Sequence, residues 1–203
     1  MSTEHKTWLP TAKRVDAVVI GASAGGVEAL GVLLPRLPAV LPVAIIVVVH
    51  VPPDGRGELA RLFDERCGAR VLEPGDKEPA LPGAIYFAPA GYHLLLEQDK
   101  VFSLSVDEPV NYSRPSIDVL FESASWTYGA RLLGVLLTGA SADGASGLRT
   151  IRQGGGHAWV QSPETARAAV MPQAAIDQDA ADEILTLPQM AERLIEAFGR
   201  GRA

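Results

Sequence analysis

A chain of 203 residues with 47% hydrophobic residues and a formal net charge of −6 can bury one substantial core, and it offers no general basic surface for nucleic acid. Its longest apolar stretch, Ala39 to Val49, is too short for a membrane span and contains Pro42, and MSTEHKTWLPTAKR lacks the apolar core of a secretory signal. The expected location is therefore cytoplasmic, without membrane insertion.

Residues 1–13 read as a flexible tail, residues 14–199 as one domain and residues 200–203 as a short C-terminal tail. The domain opens with DAVVIG as a strand and GGVEALGVLLPRL as a helix. VAIIVVVH, dense in β-branched residues, is a buried strand, and GELARLFDERCG is a helix closed by Gly68. Cys67, the single cysteine, excludes an intrachain disulfide or a multi-cysteine metal site and reads as a passive thiol near that helix end. GAIYFAPAG is a short strand. HLLLEQDKVFSLSV divides into two strands around Gln98-Asp99-Lys100, an antiparallel hairpin attached to the sheet. SIDVLFESASWTYG is a helix, ARLLGVLLTG a strand, and a further helix begins near Asp143. HAWVQS is a strand, a broken helical stretch runs through Met171-Pro172, DEILTL is a strand, and PQMAERLIEAFGR is the terminal helix. Repeated βα units with buried strands predict an α/β fold, a doubly wound and mostly parallel sheet of Rossmann-like topology carrying an antiparallel hairpin.

The segment VDAVVIGASAGGVEAL poses the functional question. A glycine-rich turn between strand and helix can cradle a phosphate or hold up a nucleophilic serine. The dinucleotide fingerprint fails in detail, because Ser23 replaces the second glycine, the second strand ends in His50 instead of an acid, and no Walker lysine follows Gly25-Gly26. Ligands of such sheets gather at the carboxyl ends of the strands, where this chain sets Ser23, His50 and Asp143, each just past a different strand. A serine hydroxyl needs a base, a histidine suits that task near neutral pH, and an acid orients the histidine. The order Ser, His, Asp is not that of the α/β-hydrolases. Taken singly, Ser23 and Asp143 could instead cap the helices that follow them, and His50 could be structural. The residues alone leave a triad and these plainer roles both open.

IGASAGGVEAL, VVHVPP, IYFAPAGYHLLLE, RPSIDVLFESAS, LLGVLLTGASADGASGL and QSPETARAAVMPQAAI occur in the order found in the chemotaxis protein-glutamate methylesterase (CheB) family, and the chain resembles its catalytic domain from Val15 to Leu187. The resemblance implies Ser23 as nucleophile, His50 as base, Asp143 as acid, and the backbone N–H groups of Ala24 and Ala140 as oxyanion donors. It implies hydrolysis of γ-glutamyl methyl esters on the methylated cytoplasmic helices of chemoreceptors or related signalling proteins, with release of methanol. Some family members also deamidate glutamines. No metal and no organic cofactor is expected. Ala24 stands where the family commonly has threonine, and Ala140-Ser141 where it commonly has Met-Gly, which keeps in view a catalytically weak or silent binding module of the same fold. The family's usual receiver domain is not expected in the residues before Val15, which leaves constitutive activity, a separate regulator in its place, or a pathway other than chemotaxis as the expectations. His93 and His157 read as structural, Met171-Pro172 as a cleft wall or a helix break, and Arg114 as solvated or as a contact for an acidic receptor surface.

Overall fold

The computed structural model describes residues 15–50 and 57–199, so both expected tails and residues 51–56 after His50 lie outside the described residues. The chain forms β1 (Ala17–Ala22), α1 (Gly26–Leu33), β2 (Ala44–Val49), α2 (Glu58–Asp64), β3 (Arg70–Leu72) and β4 (Ala84–Phe87). It continues through β5 (His93–Leu96), β6 (Phe102–Ser105), α3 (Ile117–Tyr128), β7 (Leu132–Leu136), α4 (Ala145–Gln153) and β8 (His157–Gln161). It closes with α5 (Val170–Asp177), β9 (Glu183–Leu185) and α6 (Leu187–Gly199).

Seven strands form one parallel sheet in the order β3-β4-β2-β1-β7-β8-β9. Every residue of β1, β2 and β7 is buried, as continuous apolar runs require when helices cover both faces. The period of two along β1 divides the core. Val18 and Ile20 face a layer with Leu30, Leu33, Phe63 and Leu194, while Ala17 and Val19 face one with Leu120, Phe121, Leu148 and Met171. Each fully buried branched or aromatic side chain contributes about 1.5–3 kcal/mol. From β1 the chain sets β2 beside it, β3 at the edge and β4 between them, then returns to the other side of β1 with β7. The topological switch point therefore falls between β1 and β7, where open α/β sheets form their crevice.

The expected doubly wound sheet is present, with differences of detail. The hairpin of β5 and β6 makes its own two-stranded sheet and is tied to α3 instead of extending the main sheet. Leu94, Leu96 and Phe102 share the core layer of Leu120 and Phe121, and Leu96 N–H donates to Ser123 Oγ at 3.2 Å. β3 has only three residues at the sheet edge, too few to register as an apolar run. α2 ends at Asp64, short of Gly68, and α4 begins at Ala145, two residues beyond Asp143.

Candidate active site

β1, β2 and β7 are adjacent, so their carboxyl ends bring three loops together. Ala22 is in register with Val49, and His50 N–H donates to the Ala22 carbonyl oxygen at 3.1 Å, which sets His50 and Ser23 side by side past paired strand ends. Ser23 N–H donates to the Thr138 carbonyl oxygen at 2.9 Å, joining the β1 turn to the β7 turn. Gly25 then takes φ 81°, a left-handed conformation that glycine adopts without steric cost, and α1 starts at the next residue. No side chain caps α1, so Ser23 does not play the capping role open to it from sequence. Among the described residues the Ser23 hydroxyl makes no hydrogen bond, to His50 or to any other group. In unliganded sites the nucleophile–base bond often tightens only with substrate.

His50 and Asp143 are brought into direct contact, with 2.9 Å between Nε2 and Oδ2. The carboxylate is fully buried, whereas the His50 side chain keeps 14% exposure. Asp143 is also a cap, but for a helix other than its own. Oδ2 accepts Ile117 N–H at 2.7 Å and Oδ1 accepts Asp118 N–H at 3.2 Å, both at the N-terminus of α3, where the helix dipole favours an anion. Ser116 Oγ and Asn111 Nδ2 donate to Oδ1 at 2.9 and 2.8 Å. Gly144 makes this approach feasible. Its φ is 91°, and a Cβ there would fall 2.7 Å from Ile117 Cγ2, so a side chain would push α3 off the carboxylate. Burial alone would raise the Asp143 carboxyl, but the bonds from His50, Asn111, Ile117 and Ser116 outweigh it and hold the group below the ordinary carboxylate range.

An ionised Asp143 can only accept, so Nε2 of His50 carries the proton and Nδ1 is the nitrogen with a free lone pair. Ser113 Oγ lies 3.4 Å from that nitrogen.

Thr138 organises the other side of the cleft. Its hydroxyl lies 2.9 Å from the Ala24 carbonyl oxygen and accepts Ala168 N–H at 2.9 Å, while its own N–H donates to Gln161 Oε1 at 2.9 Å. Gly139 N–H donates to the Ala168 carbonyl oxygen at 3.0 Å, and Met171 N–H to the Gly139 carbonyl oxygen at 3.0 Å. Met171 is fully buried in the first turn of α5, where Pro172 is tolerated because early helical N–H groups lack partners. The segment Met171-Pro172 is thus a helix start packed under the β7 turn. The N–H groups of Ala24 and Ala140 donate to no acceptor among the described residues.

Asn111, Ser113, Ser116 and Thr138 were not among the residues singled out from sequence. Their contacts with Asp143, His50, Gln161 and Ala24 span 23 to 114 residues, and for the first three the only local signal was the polar run NYSRPSID before a helix. Arg114, also in that run, is half-buried, and its Nη1 donates to the carbonyl oxygens of Val106 and Asp107 at 2.7 and 3.0 Å. His93 is buried, accepts Ser116 N–H at Nδ1 (3.2 Å) and donates from Nε2 to the Glu108 carbonyl oxygen (3.1 Å), joining the hairpin to the start of α3. Burial and the neighbouring Asp64 raise the Cys67 thiol, which leaves little thiolate for reaction. Among the described residues, no cluster of three His, Cys, Asp or Glu could hold a metal, and no helix is long and apolar enough to cross a membrane.

Residues 18–194 match the family model described as CheB methylesterase. The chain belongs to the CheB methylesterase family. A Leptospira interrogans member, provisionally named protein-glutamate methylesterase/protein-glutamine glutaminase, is 47% identical over 180 residues, spanning 89% of this chain and 93% of the relative. A member from Anaeromyxobacter dehalogenans, named protein-glutamate methylesterase/protein-glutamine glutaminase 1, is 42% identical over 188 residues. That match covers 92% of this chain but only 54% of the relative, so the chain spans about half that protein's length. The crystal structure of the Thermotoga maritima CheB methylesterase catalytic domain superposes with a TM-score of 0.86 at 34% identity, covering 90% of this chain and 98% of that one. The family is one of ester hydrolases, and the sheet with its separate hairpin is the fold of its catalytic domain.

Proposed function

We propose that this chain is a protein-glutamate methylesterase that hydrolyses γ-glutamyl methyl esters on methylated cytoplasmic helices of chemoreceptors or related signalling proteins. The same site would deamidate glutamine. The observation that carries the reading is the 2.9 Å hydrogen bond between His50 and the buried Asp143, formed beside the strand end that bears Ser23. In this reading Ser23 Oγ attacks the ester carbonyl carbon and its proton passes to His50 Nδ1, the nitrogen not engaged by Asp143. The N–H groups of Ala24 and Ala140, free of acceptors among the described residues, hold the oxyanion. Collapse breaks the bond to the methoxy oxygen, which takes the proton from His50 and leaves as methanol. Water then attacks the glutamyl-serine ester, giving its proton to His50, and collapse releases the glutamate side chain and restores Ser23. With glutamine the first leaving group is ammonia.

None of these steps calls on a metal or organic cofactor. The substrate's position makes the enzyme cytoplasmic in this proposal. The test is methanol release from methylated chemoreceptor cytoplasmic fragments by the wild type and by Ser23→Ala. Release by the wild type alone supports the reading. No release by either, with binding retained, leaves a silent module, and equal release by both removes Ser23 as nucleophile.

A further inference from the structure

Asn111 stands between two buried carboxylates. Its Nδ2 lies 2.8 Å from Asp143 Oδ1 and 2.8 Å from Asp118 Oδ2, so one amide group spends a hydrogen on each acid. Asp118 is otherwise held by Gly147 N–H, which donates to Oδ1 at 2.7 Å. Two carboxylates sharing a buried site ordinarily cannot both ionise. Among the described residues, the titratable groups facing this pair are His50, on the far side of Asp143, and Glu122, which adds negative charge to Asp118 from within α3. A neutral double donor is the group that lets both acids accept at once without adding a charge.

The backbone is shaped to deliver that amide. Asn111 and Tyr112 are consecutive left-handed residues, with φ 51° and 61°, in a turn closed by Val110 N–H to Ser113 O at 3.2 Å and Ser113 N–H to Val110 O at 2.9 Å. The turn leaves Tyr112 fully exposed while Asn111 reaches Asp143 and Ser113 reaches Nδ1 of His50. One turn thus touches both ends of the His50–Asp143 pair.

We propose that Asn111 is a positioning residue for the ester hydrolysis, keeping Asp143 ionised and aimed at His50 while Asp118 stands ionised beside it. This rests on the proposed function above. Asn111 acts through Asp143, so its loss falls on kcat and spares KM.

The test compares Asn111→Gly, Asn111→Asp, Asp118→Asn and the Asn111→Gly/Asp118→Asn double variant with the wild type. Glycine and aspartate both tolerate the left-handed backbone, so the turn is kept while the amide is lost. Asn111→Gly is expected to lower kcat by about 10-fold or more with KM within about 2-fold, and adding Asp118→Asn to recover several-fold of that loss. Asn111→Asp, near-isosteric but charged, is expected to be the more damaging of the two; a merely steric role predicts the reverse. Carboxyl ¹³C NMR titration needs no substrate, and it should show Asp143 and Asp118 both titrating at higher pH in Asn111→Gly. Unchanged titrations, or single effects that simply add, would overturn the proposal. If wild type and Ser23→Ala alike released no methanol, the esterase reading would fall, while the titrations would still decide the part played by Asn111.

Discussion

The hydroxyl of Thr138 lies 2.9 Å from the carbonyl oxygen of Ala24, a residue 114 positions earlier in the chain. That contact orients the peptide unit directly after the proposed oxyanion donor, and Thr138 also receives Ala168 N–H from the loop before α5. Thr138→Val keeps the shape and removes the hydroxyl. It is expected to cost about 1–3 kcal/mol in urea unfolding, because buried partners are left unpaired. The same variant should lower kcat about 10-fold, short of the 10²–10³ for outright loss of an oxyanion donor, with Thr138→Ser close to wild type in both measurements.

Two hydroxyls compete for the role of nucleophile. Ser113 lies 3.4 Å from His50 Nδ1, at the long limit of a hydrogen bond, and the helix N-terminus that follows it is already closed by Asp143, whereas no side chain caps α1 after Ser23. Ser113→Ala is expected to retain methanol release within about 3-fold, against a loss of about 10³-fold or more for Ser23→Ala. A larger loss in Ser113→Ala would exchange their roles.

Asp143→Asn should damage both activity and fold. The carboxylate accepts from His50, Asn111, Ser116, Ile117 N–H and Asp118 N–H, and an amide presents a single acceptor oxygen to these five donors. A fall in kcat of about 10³–10⁴ is expected together with about 2–4 kcal/mol of lost stability. His50→Ala is expected to match the loss of activity while costing under about 1 kcal/mol in denaturant unfolding, since it leaves α3 capped.

Asp118 gives stability a pH dependence of opposite sign to that of Asp143. Burial pushes its carboxyl up to about 6, with the charge of Asp143 adding to the rise against the bonds from Gly147 and Asn111. A carboxyl raised above its unfolded value binds its proton more tightly in the native state, so its contribution to stability declines as pH rises from about 4 to about 6. Asp143, held low, contributes stability above its unfolded value and loses it as pH falls through the native one. Removing the raised group should flatten the decline. The stability difference between Asp118→Asn and wild type is expected to be about 1 kcal/mol more favourable to the variant at about pH 8 than at about pH 5, measured by denaturant unfolding.

The sheet and the placement of Ser23, His50 and Asp143 beyond the ends of β1, β2 and β7 were legible because the first two directly follow apolar runs and the third lies in the loop after one, and the strand-end rule needs no knowledge of distant contacts. The plainer role considered for Asp143, a helix cap, was right in kind and wrong in address. It closes α3, whose first residue lies 26 positions upstream, and not α4, which follows it. Asn111 and Thr138 were illegible for the same reason, because a polar side chain in a loop carries no mark of a partner tens of residues away. β3 escaped because three residues at an edge make no periodic pattern. The hairpin was visible, but its attachment to α3 depends on packing of Leu94, Leu96 and Phe102 that alternation alone does not reveal.

Because Asp143 closes the N-terminus of α3 as well as bonding to His50, two separate pressures maintain it. A lineage that gave up ester hydrolysis would still be selected to keep the aspartate, or would have to rebuild the start of that helix. Drift after loss of activity should therefore appear first at positions such as Ser23, whose hydroxyl supports nothing else among the described residues. An intact acid in a divergent homologue is then a marker of a folded domain, and the state of its serine is the better guide to whether it still turns over.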